Sequence, residues 1–267
     1  MYDMNIHPSA VISKKAKLAD DVMIGPGAVV TDDVTIGKGC VIGAHCVIDG
    51  NTTIGQRCRI FTGAIIGSIP QDLKYKGEKT LLQIGDDNII REYCTLNVGT
   101  VESGKTVLGN GNLLMAYSHI AHDCLVGNGC IIANNGTLAG HVTVEDKAVV
   151  GGLVAIHQFV TVGKLSIIGG CSKVVQDVVP FSTCDGHPAK IFGLNLIGLR
   201  RAGVSSADMK ILGHAFKILF NSGLSIKHAT EEIQSQAGSS AEVVYLLNFI
   251  KNSQRGICHS SKKAHNE

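Results

Sequence analysis

Tryptophan is absent and aromatic residues make up only 4% of the 267-residue chain. Such scarcity is what a core made by copying one small aliphatic layer many times is expected to show. No run of 18 apolar residues occurs, and the start, MYDMNIHPS, has neither the basic nor the apolar character of an export leader. These two absences exclude a membrane-spanning helix, give no sign of secretion and predict a cytoplasmic protein. Excess charge is lacking too: 24 Lys and Arg stand against 22 Asp and Glu, a net charge of +2, which argues against nucleic acid as a partner. Disulfide logic also fails, because nine cysteines is an odd count and Cys40, Cys46, Cys58, Cys124 and Cys130 recur at multiples of six. They are expected to be reduced core residues.

What is present is a beat. Every sixth residue from Ile6 to Val174 is Ile, Leu or Val, except Asp72, Glu78 and Glu102. A period of six fits neither a 3.6-residue helix nor a free alternating strand, so one small supersecondary unit must be repeated. Two residues before each beat stands a slim side chain, as at Ala16, Val22, Ala28, Val34, Cys40, Cys46, Thr52, Cys58 and Ala64. Strand side chains alternate between faces, so the beat and the position two before it point the same way, into the core. Short flat strands separated by corners make a polygonal coil.

The beat predicts two interruptions and one end. Residues 67–83, around Asp72 and Glu78, and residues 99–107, around Glu102, read as loops thrown outward from a coil occupying 1–180. Beyond Pro180 the period turns helical, with helices predicted at 194–202, 207–220 capped by Ser205 or Ser206, 226–236 and 241–252. These make a small C-terminal helical domain over 181–267, whose last residues, from ICHSS onward, are expected to fray.

Histidine placement is the strongest chemical signal. His122, His141 and His157 are separated by 19 and 16 residues, close to multiples of a three-strand coil, and His119 lies three residues before the first. Layers of a β-ladder are about 4.8 Å apart, which puts these imidazoles along one edge. Two chemistries use such a file. Neutral imidazoles bind zinc, as the three histidines of γ-class carbonic anhydrases do on a hexapeptide-repeat fold. Alternatively, one imidazole serves as a general base towards a hydroxyl near neutral pH.

The hexapeptide beat resembles that of the left-handed parallel β-helix acyltransferases, in which three six-residue strands make one 18-residue triangular coil. The words QDLKY (71–75), NLLMAYSHIAHDC (112–124), ANNGTLAGHV (133–142), GGLVAIHQF (151–159), GGCSKVVQDVVP (169–180) and FGLNLIGLRR (192–201) closely resemble one family within it, the UDP-N-acetylglucosamine 3-O-acyltransferases of lipid A biosynthesis. The resemblance runs from about residue 6 to about residue 252. It implies transfer of an R-3-hydroxyacyl group from acyl carrier protein to UDP-GlcNAc, a homotrimer with clefts between subunits, and no metal or other cofactor.

By motif, the resemblance makes His122 the general base and the Gly140 N–H an oxyanion donor. Asp72 and Lys74 would contact the sugar nucleotide, His119, His141, His157 and Gln158 would line the cleft, and Asn195 and Arg201 would bind the uridine and phosphate end. Gly170 would leave room for a longer acyl chain. Lys164, Lys173, Lys190, Arg200, Arg201, Lys210 and Lys217 would offer acidic acyl carrier protein a basic landing. Asp123, next to His122, is expected to face the opposite way, as strand neighbours do, and so not to orient the imidazole unless the backbone turns there. Three positions depart from the family pattern. Asn97 stands where His is usual, Ile197 replaces an acidic residue, and Ala202 follows Arg201 where a second Arg is common. A 3-amino sugar acceptor, giving an amide, remains an alternative at this point, as does the zinc enzyme.

Overall fold

The computed structural model describes residues 5–236 and 240–261. Strands mostly two to four residues long stack into three parallel sheets of nine, eight and ten strands, here sheets I, II and III. Sheet I starts at Val11–Ile12, sheet II at Lys17–Leu18 and sheet III at Met23–Ile24, and the chain visits them in that rotation. Val11 pairs with Val29, and Leu125 with Thr143, so one turn of the coil takes 18 residues. The result is a left-handed parallel β-helix followed by helices.

The beat residues fill the prism. From Ile24 to Val174 the aliphatic ones are buried, together with the slim positions two before them, such as Ala28, Cys40, Cys46 and Cys58. The first rungs, from Ile6 to Leu18, are less covered. All nine cysteines are free thiols and eight are buried, several donating Sγ–H to a carbonyl of the next layer, as Cys124 does to Ala139 O at 3.1 Å.

Both interruptions fall on one edge, between sheets I and II, and both keep the phase. Ile54 pairs with Ile84, thirty residues on, so the first insertion adds twelve residues to the usual eighteen. Ile84 pairs with Leu108, twenty-four on, so the second adds six. The first, 69–80, stands away from the prism, with Leu73 fully exposed at its tip. The second was expected to do likewise and does not. Residues 98–104 fold back: Gly99 N–H donates to Leu81 O, Leu81 N–H to Gly104 O, and Val98 and Thr100 are buried.

The chain also differs from expectation after Pro180. A hairpin, Ser182–Gly186 with Ala189–Leu194, extends sheet III before any helix starts, its first strand pairing in parallel with Ile167–Ile168. The helices α1 (Leu196–Arg201), α2 (Ser206–Asn221, capped by Ser205), α3 (Ile226–Gln236) and α4 (Ala241–Asn252) follow. Nor does the tail fray where predicted. Ile257 bridges to Asp177 and is buried with Cys258, while 262–267 lie outside the described residues.

Candidate active site

The edge between sheets I and II gathers histidines distant in sequence because its corners repeat every eighteen residues. His122, Gly140 and Gln158 occupy one column of that edge, Asp123, His141 and Phe159 the next, and Ala121, Ala139 and His157 the one before. Asp123, His141 and Phe159 have φ of 60°, 62° and 65°. This left-handed turn overrides strand alternation, so Asp123 does not point away from His122 as expected. Its Oδ2 accepts from His122 Nδ1 at 2.8 Å.

Asp123 is buried, and every lone pair of its carboxylate is occupied. Oδ1 accepts from Thr100 N–H at 2.9 Å and from the Ser103 hydroxyl; Oδ2 accepts from Thr100 Oγ1 at 2.7 Å and from His122. Burial pushes this carboxyl up, but the bonds from Ser103, Thr100 and His122 outweigh it and hold the pKa at about 2. The group is therefore ionised and can only accept, so the hydrogen of this bond is His122 Nδ1–H.

Gly140 lies against that imidazole. A Cβ there would sit 2.5 Å from Cε1 and 2.7 Å from Nε2 of His122, so only glycine admits this ring position. Its N–H has no acceptor among the described residues. His141 meets His122 edge to face, centroids 5.1 Å apart, and is sandwiched against Phe159 at 4.4 Å. Its Nε2 is 3.3 Å from Glu102 Oε2. His119 shares a 2.7 Å hydrogen bond with Thr95. Burial holds His119 below the usual imidazole value, against the Thr95 bond and with a small contribution from nearby His122.

The expected file of three imidazoles is thus a pair with a phenyl ring above it. His157 lies on the same edge but is exposed, its ring Nδ1 bonding to Gln158 O at 3.2 Å. Gln158 beside it is also exposed. Asp72 and Lys74 lie in the first insertion, where Asp72 Oδ1 caps the Lys74 N–H at 2.9 Å. Asn97 ties down the base of that insertion, donating to Ser68 Oγ at 2.8 Å and Ile69 O at 3.1 Å, while its buried Oδ1 has no partner among the described residues.

One chain does not bring the remaining residues to this edge. Gly170 sits on the edge between sheets III and I, one layer above Gly152. Asn195 lies near Leu165, on the edge between sheets II and III, and its amide is engaged by the fold. Oδ1 caps α1 at Gly198 N–H and Nδ2 donates to Leu165 O, each at 2.9 Å. Arg201 is exposed in the last turn of α1. The zinc alternative loses its geometry: His122, Asp123 and His141 are the only described group with metal-ligand spacing, and it offers two imidazoles and a carboxylate already full of donors. Sequence patterns missed Thr100, Ser103, Glu102 and Phe159; the eighteen-residue spacing from His141 to Phe159 was the available signal for the last.

Known proteins carry the same architecture. Hexapeptide-repeat transferase profiles match residues 15–50 and 105–140, and the profile described as "Udp N-acetylglucosamine O-acyltransferase; Domain 2" matches 177–258. The acyl-[acyl-carrier-protein]–UDP-N-acetylglucosamine O-acyltransferase of Thiobacillus denitrificans is 52% identical over 253 residues, covering 94% of this chain and 98% of that one. The chain belongs to this O-acyltransferase family. The O-acyltransferase of Alkalilimnicola ehrlichii is also 52% identical over the same shares of the two chains. Among solved structures, LpxA from Acinetobacter baumannii superposes with a TM-score of 0.93 at 44% identity, over 96% of this chain and 100% of that one. The UDP-N-acetylglucosamine acyltransferase of Campylobacter jejuni gives 0.90 at 45%, over 95% and 99%.

Proposed function

We infer that this chain transfers an R-3-hydroxyacyl group from acyl carrier protein to the 3-hydroxyl of UDP-N-acetylglucosamine, with His122 as general base. The observation that carries the inference is the His122–Asp123 hydrogen bond of 2.8 Å with Gly140 against the ring, in a chain of this family. Nε2 takes the hydroxyl proton as the sugar oxygen attacks the thioester carbonyl. The tetrahedral oxyanion accepts from the Gly140 N–H. Collapse expels the carrier thiolate, which recovers the proton from the imidazolium, so the enzyme returns to its starting state without a cofactor. Asp72 and Lys74 hold the sugar nucleotide, and His119, His141, His157 and Gln158 line its cleft.

The separation of Gly170, Asn195 and Arg201 from His122 supports a site completed by neighbouring copies in a homotrimer. The outer face of sheet III supports it too: Met23, Val41, Ile89, Leu113, Ile131, Val149 and Ile167 all point outward there, an apolar strip with one charged interruption at Arg59. Among the described residues no helix is long and apolar enough to cross a membrane, in keeping with a cytoplasmic enzyme fed by acyl carrier protein. Lys173, Lys190, Arg200, Arg201, Lys210 and Lys217 are exposed and suit an acidic carrier. Replacing His122 by Ala is expected to lower transfer at least about a hundredfold; near-normal turnover would remove the base. Mass spectrometry of the product from mixed acyl carrier proteins and UDP-sugars reads chain length and ester against amide in one measurement.

A further inference from the structure

We propose that the six extra residues of the second insertion belong to the catalytic apparatus, with Thr100 and Ser103 as positioning residues that hold the Asp123 carboxylate so that it fixes the His122 imidazole. This rests on His122 being the base. Three of the four donors to Asp123 come from this segment, and His122 supplies the fourth. A carboxylate has about four acceptor sites, so these donors leave it one vacancy, aimed at His122 Nδ1. Without them Asp123 could rotate, or favour its neutral form as buried carboxyls do, and the proton on Nδ1 would lose its fixed partner. The imidazole would then sample the other tautomer, whose Nε2 carries hydrogen and cannot accept from the sugar.

The segment is built to be stiff. Thr80 Oγ1 donates to Gly99 O at 2.5 Å, Gly104 N–H to Thr100 O at 2.7 Å, and Leu81 N–H to Gly104 O at 2.9 Å. Thr80 ends the first insertion, so the loop bearing Asp72 and Lys74 and the clamp on Asp123 share one anchor. An uninterrupted coil would have no residue in place of Thr100 or Ser103 beneath Asp123.

The test uses the full chain. Thr100→Val removes one hydroxyl at constant shape, and Ser103→Ala removes another from an exposed residue with little risk to folding. Each is expected to lower kcat about tenfold, the loss of one hydrogen bond to a charged group, with KM for the sugar nucleotide unchanged. Thr100→Ser, which keeps both donors, should restore turnover. Nitrogen NMR of labelled histidine should show His122 protonated on Nδ1 in the parent and a mixture of tautomers in the Thr100→Val/Ser103→Ala double variant. A folded double variant with unchanged tautomer overturns the proposal, and so does one with shifted tautomer and full turnover. If the double variant does not fold, Ser103→Ala alone decides by the same two readouts. Should the parent chain transfer no acyl group, the assignment of His122 as base fails, while the tautomer signal still decides whether Thr100 and Ser103 set the imidazole.

Discussion

In the proposed mechanism His122 depends on two neighbours that act in opposite senses, one by what it offers and one by what it lacks. Asp123 supplies a fixed acceptor for Nδ1–H; replacing it by Asn, which offers an amide in place of a charge, should cut kcat by about a hundredfold or more and, by losing the stability of the buried charge, lower the melting temperature by several degrees. Gly140 supplies space. Gly140→Ala places a methyl 2.5 Å from His122 Cε1, so the ring must leave its position, and activity should collapse in a chain that still folds. A crystal structure of that variant would show the displaced imidazole. The place of His122 on this edge was legible in the sequence, since the histidine spacing puts it there. Its partner was not, because strand alternation predicts opposite faces for residues 122 and 123, and only the left-handed corner at φ 60° reverses that.

Elements were legible in proportion to the regularity of their periods. The six-residue beat located every layer of the prism, and the helical period located α2, α3 and α4 almost to the residue. The hairpin after Pro180 escaped because its strands, Ser182–Gly186 and Ala189–Leu194, pair antiparallel with no six-residue spacing. The second insertion escaped for a different reason: its value lies in contacts to Asp123, and polar loop residues look alike whether they face a buried carboxylate or water. Asn195 illustrates a third case, in which a residue marked by resemblance as a nucleotide contact also caps a helix. Asn195→Ala should destabilise the α1 region by about 1 kcal/mol, seen as a melting temperature lower by roughly 2–4 °C. A variant that loses only substrate affinity would assign the side chain to binding alone.

For the whole molecule, two properties follow from how the prism is covered. The apolar outer strip of sheet III is the surface proposed to join copies, so Ile131→Lys, at its middle, should convert the proposed trimer to monomers in sedimentation and abolish turnover; full turnover by a monomer would refute a site shared between copies. Acid should act in two steps. The pKa of His119 is lowered by burial, so the folded state resists its proton, and stability falls as pH drops below the ordinary imidazole value. The pKa of Asp123 is held at about 2, so its contribution, on the order of 2 kcal/mol, is present above pH 4 and disappears as pH falls from 4 towards 2. Denaturant midpoints measured across pH 2–7 would show both slopes, and Asp123→Asn should make the lower one shallower, leaving the part due to Asp32, Asp87 and Glu92, which their cationic partners also hold low.

Growth of this molecule is quantised. Inserted lengths of twelve and six are whole rungs, so everything downstream keeps its facet. A chain shortened by removing 69–80 would thread the same side chains inward and present the same edge outward, minus one loop. Losing a single residue from any rung would instead rotate the rest of the coil out of step, bury its polar positions and scatter the paired imidazoles.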